Sequence, residues 1–216
     1  MNIQLNQLIP IPLKEKILQG HSEIWNSNVV INNREYLKIV APSGTGKTTL
    51  THILWKLRTD YNGEVHYNGV NINSINAQVM SEFRQQKISV IFQDLRLFGH
   101  LTAKENIELN RIKLTTPHVS ENAILEMAEI LGVTHILNQK ANTCSYGEQQ
   151  RIAIIRSLVQ PFEILIMDEP FSHLDQNNTQ KAAGLIAKVC KQNNAGFLLM
   201  DLDEDSNFEY TQTLKL

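Results

Sequence analysis

Two groups of side chains in this 216-residue chain could do chemistry by type and spacing. The first is Ala41-Pro42-Ser43-Gly44-Thr45-Gly46-Lys47-Thr48-Thr49-Leu50. Gly44 and Gly46 lack a Cβ, so the backbone there can wrap closely around an anion. Lys47 can reach terminal phosphates, and Thr48 offers a hydroxyl to Mg²⁺. Ser43, Thr45 and Thr49 belong to the same phosphate-cradling stretch, a P-loop with Ala41 in place of its first glycine. The alternative is a small-residue turn before a core helix. The second group is Asp168-Glu169, followed by Pro170. Beside a P-loop, Asp168 would hold Mg²⁺ directly or through water, and Glu169 would polarise the water that attacks a γ-phosphate. An acidic N-cap is the plainer alternative.

These groups need elements that bring them together. Tyr36-Leu37-Lys38-Ile39-Val40 reads as a buried strand, and Leu50, Ile53, Leu54 and Leu57 follow at helical spacing. Such a strand–turn–helix aims backbone N–H groups and the positive end of a helix dipole at one point. Phe162 to Met167 is nearly unbroken apolar sequence, the pattern of a buried parallel strand. Ligands of open α/β sheets bind beyond the carboxyl ends of such strands, where Asp168 and Glu169 stand. Gly196 to Met200 reads as another buried strand and Thr211 to Leu216 as an edge strand, with a helix over Ala182 to Val189. Near the start, Ile3 to Ile11 and Val29 to Ile31 read as strands joined by a loop. Asn62-Gly63 and Asn68-Gly69 flank Glu64 to Tyr67, which predicts antiparallel hairpins. Ala77 to Gln86 is helical, and Ile88 to Phe92 is a strand closing at Gln93.

From Leu95 to Asn142 the pattern is helical. Thr102 is a candidate N-cap for Ala103 to Leu109, and Ser120 caps a helix that Gly132 ends. Ser145-Tyr146-Gly147-Glu148 is a capping box opening a further helix that Pro161 stops. The expected fold is therefore α/β: a core with a mainly parallel sheet, an antiparallel β subdomain and an inserted helical subdomain.

Bulk properties narrow the function. A composition 42% apolar and 19% charged is that of a globular protein, and a net charge of −2 gives no electrostatic case for nucleic acid. Two cysteines, Cys144 and Cys190, make no disulfide framework and point to a reducing compartment. The histidines at 21, 52, 66, 100, 118 and 135 share no metal-ligand spacing. The first residues lack the pattern of a secretory signal, and no run approaches the roughly 18 apolar residues of a membrane span. A soluble protein is expected.

Taken together, the motifs resemble the ATP-binding cassette (ABC) ATPases, the nucleotide-binding subunits of ABC transporters. The resemblance covers nearly the whole chain. The P-loop is Ala41 to Thr48; Gln93, after Val90-Ile91-Phe92, matches the Q-loop glutamine, which contacts metal and water near the membrane partner. Cys144-Ser145-Tyr146-Gly147-Glu148-Gln149-Gln150-Arg151 is similar to the signature motif. Ile164 to Pro170 matches Walker B with its catalytic glutamate, and Ser172-His173-Leu174-Asp175 the D-loop. Arg84 through Gln93, with Leu97, Leu101, Thr102, Glu105 and Asn106, resembles the branch serving lipoprotein-release and macrolide-efflux permeases. The resemblance implies a single P-loop NTPase domain over 1–216, with 1–94 and 161–216 as nucleotide-binding core and β subdomain and 95–160 as helical signature subdomain. It implies ATP and Mg²⁺ as cofactors. Glu169, Gln93 and Lys47 would be catalytic, and Thr48, Gln93 and Asp168 would serve the metal. It implies a head-to-tail homodimer or heterodimer, in which Ser145 and Gly147 of one subunit complete the site of the other. An integral membrane permease would hold the protein on the inner face of the cell membrane, and Leu95, Leu97 and Phe98 line either its docking groove or the core.

Departures from the family pattern set up a second reading. Tyr146 replaces the first signature glycine. Residues 1 to 24 contain no aromatic to stack on adenine, and Trp25, the first one, reads as core packing more readily than as a stacking ring. Asp201 stands where the family places a histidine against the γ-phosphate, and by analogy with losing an oxyanion-hole donor this lowers the rate by on the order of 10²–10³. The leading expectation is an ATPase subunit of a transporter. The alternative is a degenerate cassette that binds nucleotide and a partner with little hydrolysis. A soluble ABC ATPase of DNA repair or translation is disfavoured by the single cassette and the absence of a basic surface.

Overall fold

The computed structural model describes residues 1–111 and 118–216. Along the described residues run β1 (Asn2–Pro10), α1 (Lys14–Gln19), β2 (Asn28–Asn32), β3 (Tyr36–Val40), α2 (Lys47–Leu54), β4 (Tyr61–Tyr67) and β5 (Val70–Asn71). They are followed by α3 (Ala77–Gln86), β6 (Ile88–Ile91), α4 (Ala103–Arg111), α5 (Glu121–Ile130), α6 (Tyr146–Leu158), β7 (Ile164–Asp168), α7 (Gln176–Asn193), β8 (Gly196–Asp201) and β9 (Gln212–Lys215).

The patterning of apolar residues sorts the strands into two sheets. β1 and β2 alternate, burying Ile3, Leu5, Val29 and Ile31 on one face. They pair antiparallel in a sheet ordered β2-β1-β4-β5, as strands with one wet face do. β7 is buried at every residue and β8 at all but its last. They form the middle of an all-parallel sheet ordered β6-β7-β8-β3-β9. Alternate residues of the two central strands serve different cores. Ile164, Ile166, Leu198 and Met200 pack with α2 and the antiparallel sheet, while Leu165, Met167, Phe197 and Leu199 pack with α4 to α7. The helices α4 to α6 lie between β6 and β7, which pair directly with Ile88 opposite Ile164, so they are an excursion from the sheet. This is the expected α/β architecture.

Several local expectations change. Asn68-Gly69 is the turn between β4 and β5, with φ of 50° and 80°. Asn62-Gly63 makes no turn; it lies within β4, where the pairing with β1 shifts register between Asn6 and Ile9. Gly63 has φ of +84°, and a Cβ there would come 2.3 Å from the Gln7 carbonyl oxygen; it stands alone opposite Gln7 and Leu8, which form a bulge in β1. Leu57 is 46% exposed and lies beyond α2, which ends at Leu54. The loop expected after β1 contains the short helix α1. α7 starts well before Ala182, because Asp175 caps it by accepting from Asn178 N at 2.8 Å and its first turns are polar. Thr102 and Ser120 cap α4 and α5, accepting from Glu105 N at 3.1 Å and Ala123 N at 3.2 Å. Among the described residues no helix is long and apolar enough to cross a membrane.

Candidate functional site

The parallel order places the carboxyl ends of β3, β7 and β8 side by side, and the chemistry-bearing residues gather there. β3 ends at Val40, opposite Asp201, and Ala41 N donates to the Asp201 carbonyl at 2.9 Å. The chain then turns into α2 through Gly44 at φ of +74° and Gly46 at φ of +110°. A Cβ on Gly46 would come 2.7 Å from Leu13 Cδ1 and 3.0 Å from Trp25 Cζ2, so this corner needs glycine for both conformation and space. Ser43, Gly44, Gly46, Lys47, Thr48 and Thr49 line a cleft of about 260 Å³, closed on its far side by Leu13, Gln93 and Glu169.

Polar contacts tie this cleft together. The Lys47 ammonium donates to the Ala41 carbonyl at 2.7 Å and lies 3.3 Å from Glu169 Oε1. Thr48 Oγ1 donates to Gln93 Oε1 at 3.1 Å, and Gln93 Nε2 donates to Glu169 Oε2 at 3.1 Å. Lys47, Glu169, Gln93 and Thr48 thus form a chain of contacts around the mouth of α2. Glu169 itself has φ of +48°, an uncommon conformation for a residue with a side chain. Its backbone is held by a bond from its N–H to the Met200 carbonyl at 2.9 Å and by Gln150, whose buried amide donates to the Glu169 carbonyl at 3.2 Å.

Asp168 differs from its neighbours. It is fully buried, and among the described residues neither carboxylate oxygen has a partner at ordinary hydrogen-bond geometry, although the Thr48 and Thr51 hydroxyls are close enough to favour its charged form. Burial pushes its pKa up to about 6; the Thr48 hydroxyl draws it down, Glu169 pushes it up, and Lys47 and Thr51 oppose the rise. An unpartnered buried carboxylate is costly unless something satisfies it. With the Thr48 hydroxyl and the Gln93 amide nearby, the donor set is all oxygen. Such a set suits a hard cation that also takes phosphate ligands, as Mg²⁺ does. No group of three or more His, Cys, Asp or Glu side chains gathers among the described residues.

Beside the P-loop lies a second cavity of about 210 Å³, lined largely by Leu13, Ile17, Trp25 and Thr45. Trp25 is 3% exposed and donates its indole N–H to the Thr45 carbonyl at 3.0 Å. It packs and braces the loop from within, in keeping with the core reading of this residue.

The signature-like segment stands apart. Ser145 caps α6 in a full capping box with Glu148, the Ser145 N–H donating to Glu148 Oε2 at 2.8 Å. Neither Ser145 nor Gly147 lines the P-loop cleft of its own chain. The Tyr146 ring lies 4.2 Å from the His173 ring, and its hydroxyl is 3.5 Å from the Gln93 carbonyl.

At the β8 end, Asp201 Oδ1 accepts from Leu202 N at 2.8 Å, and Oδ2 lies 3.8 Å from the Lys38 ammonium. Lys38 is 1% exposed and is also paired with Asp205. The sequence marks Lys38 only as a lone lysine inside an apolar strand and Gln150 only as a member of the signature-like segment, and neither pattern reveals the contact made.

A model of the ABC transporter family matches residues 24–172. The chain belongs to the ABC transporter family. Among curated ABC relatives, the glucose import ATP-binding protein GlcV of Saccharolobus solfataricus is 35% identical over 182 residues. That match takes in 83% of this chain and 50% of GlcV, so the chain spans about half the length of this relative. The lipoprotein-releasing system ATP-binding protein LolD of Psychrobacter arcticus is 32% identical over 181 residues, or 82% of this chain and 80% of LolD. A dimeric bacterial ABC transporter cassette superposes with a TM-score of 0.78 at 28% identity, covering 93% of this chain and 88% of that one. The same cassette in a post-hydrolysis dimer with ADP and phosphate gives a TM-score of 0.77 at 27% identity and the same coverage. Of the apolar residues that follow Gln93, Leu95 is 2% exposed, Leu97 packs partly against the core, and Phe98 is 52% exposed.

Proposed function

We propose that this chain is the ATP-binding and ATP-hydrolysing subunit of an ABC transporter, with the P-loop cleft as its nucleotide site. The observation that carries this reading is the contact chain Lys47–Glu169–Gln93–Thr48 around the orphaned Asp168 carboxylate. Ser43 to Thr49 would cradle the phosphates with backbone N–H groups at the positive end of α2. Lys47 would exchange its contact with Glu169 for the β- and γ-phosphates. Glu169, released from Lys47 and oriented by Gln93, would accept a proton from the attacking water. Asp168, Thr48 and Gln93 would hold Mg²⁺, which when bound neutralises phosphate charge. Gln150 would keep Glu169 aimed by fixing its backbone.

The division into 1–94 with 161–216 and 95–160 follows from this reading, the second part carrying the signature helix. Ser145 and Gly147, exposed and half-buried at the start of α6, would meet the nucleotide of a second subunit in a homodimer or heterodimer. Closing and opening of that dimer would drive an integral permease from the inner face of the cell membrane, and Phe98 is the exposed apolar residue near Gln93 suited to it. A second reading, a cassette that binds nucleotide with slow or absent turnover, is favoured by Asp201 and Tyr146. Both stand where the resemblance implies a donor or a bare backbone.

Steady-state hydrolysis of Mg-ATP decides between the two. In the ATPase reading, Glu169→Gln lowers turnover by about 10²–10⁴ and leaves ATP binding intact. Saturable binding without turnover in the wild type, with the permease present, supports the second reading and contradicts the first.

A further inference from the structure

A buried lysine in the strand that feeds the P-loop needs an explanation, because burial of an ammonium is unfavourable unless it is paired. Lys38 sits at the centre of β3, two residues before Val40, and residues two apart on a strand share a face. Its stem therefore runs along the sheet toward the end where the nucleotide site lies. The ammonium is engaged by Asp205, lies 3.8 Å from Asp201 Oδ2, and stands 5.6 Å from the centre of the Tyr210 ring. Asp205 is saturated by other bonds as well, accepting from Tyr210 Oη at 2.6 Å and Asn207 N at 2.8 Å. Among the described residues, the Asp201 carboxylate accepts from the Leu202 N–H and otherwise faces Lys38.

Asp201 is also the carboxylate nearest the chemistry on this strand. Its carbonyl accepts from Ala41 N, the first residue of the P-loop, and burial, with Asp205 and Glu169 nearby, holds its carboxyl above the ordinary value although Lys38 opposes the rise. An uncompensated carboxylate there would repel the last phosphate of a nucleoside triphosphate. We propose that Lys38 is a positioning residue that turns Asp201 and offsets part of the charge it shares with Asp205, so that the β8 end accepts a triphosphate although it bears an acid. This rests on the P-loop cleft being a nucleotide site. The pair makes Lys38 a determinant of triphosphate against diphosphate selectivity, acting through Asp201 without touching the nucleotide.

The test is equilibrium binding of the β,γ-imido analogue of ATP and of ADP, each with Mg²⁺, to the full chain. Lys38→Met is expected to weaken the imido analogue about tenfold while changing ADP little, as one added charge near the γ-phosphate would do. Lys38→Met with Asp201→Asn is expected to restore the wild-type ratio, and Lys38→Arg to keep it. An unchanged ratio in Lys38→Met, or a loss that Asp201→Asn does not repair, overturns the proposal and leaves Lys38 a purely structural ion pair. If Lys38→Met no longer binds ADP, Asp201→Asn alone decides: the analogue should gain severalfold over ADP, and no gain overturns the proposal. A wild-type protein that binds neither nucleotide contradicts the nucleotide site itself.

Discussion

β7 and β8 are neighbours in the sheet, with Asp168 opposite Met200, and both end in a carboxylate, but the two ends are treated in opposite ways. At the β7 end Asp168 is fully buried and its oxygens are left without partners. At the β8 end Asp201 is bonded to Leu202 N, and Asp205, four residues on, takes bonds from Lys38, Tyr210 and Asn207. In the proposed nucleotide site the unsatisfied carboxylate is the one a cation would complete, while Asp205 is satisfied within the loop after β8.

The contrast predicts effects of opposite sign. Asp205→Asn should be the larger, destabilising the protein by about 3 kcal/mol in chemical denaturation, because it strips the buried Lys38 of its main partner. Burial pushes Asp205 up, but its bonds from Lys38 and Tyr210 outweigh this and hold its pKa below the ordinary value. Its contribution is therefore present above the ordinary carboxylate range and is lost as pH falls below it. Asp168→Asn should stabilise the ligand-free protein at pH 7, on the order of 2 kcal/mol, because it removes an ionised group whose folded pKa is about 6 against an ordinary 3.8. The sign follows from the proton count: the folded state binds the proton more tightly, so the wild type gains stability as pH falls from about 6 toward 4. The variant should lose that pH dependence. A destabilised Asp168→Asn would mean that the carboxylate already has a partner.

Much of this arrangement was legible in the residues. Lys47, Thr48, Gln93, Asp168 and Glu169 are far apart in the chain, yet unbroken apolar strands ending at Val40 and Met167 mark the sheet end they share. What stayed hidden has physical reasons. Asn62-Gly63 and Asn68-Gly69 are the same dipeptide, and only the pairing of β4 decides that the first lies opposite a bulge in β1 while the second turns into β5. The first turns of α7 are polar, so apolar spacing missed them and only the Asp175 cap marks the start. Trp25 was read as core, and it is; its bond to the Thr45 carbonyl is a tertiary contact that no local pattern encodes. Lys38 and Asp205 are separated by 167 residues, and their pairing follows from β3 and β8 being neighbours. Ser145 and Gly147 lie outside the cleft of their own chain, so the role proposed for them would require a second subunit.

If the buried Asp168 behind the P-loop cleft holds the metal of an ATP site, titration calorimetry of ATP with and without Mg²⁺ at pH 7 shows it most directly. Mg²⁺ should tighten ATP binding about tenfold or more in the wild type and leave it nearly unchanged in Asp168→Asn. Equal enhancement by Mg²⁺ in both proteins would contradict the account.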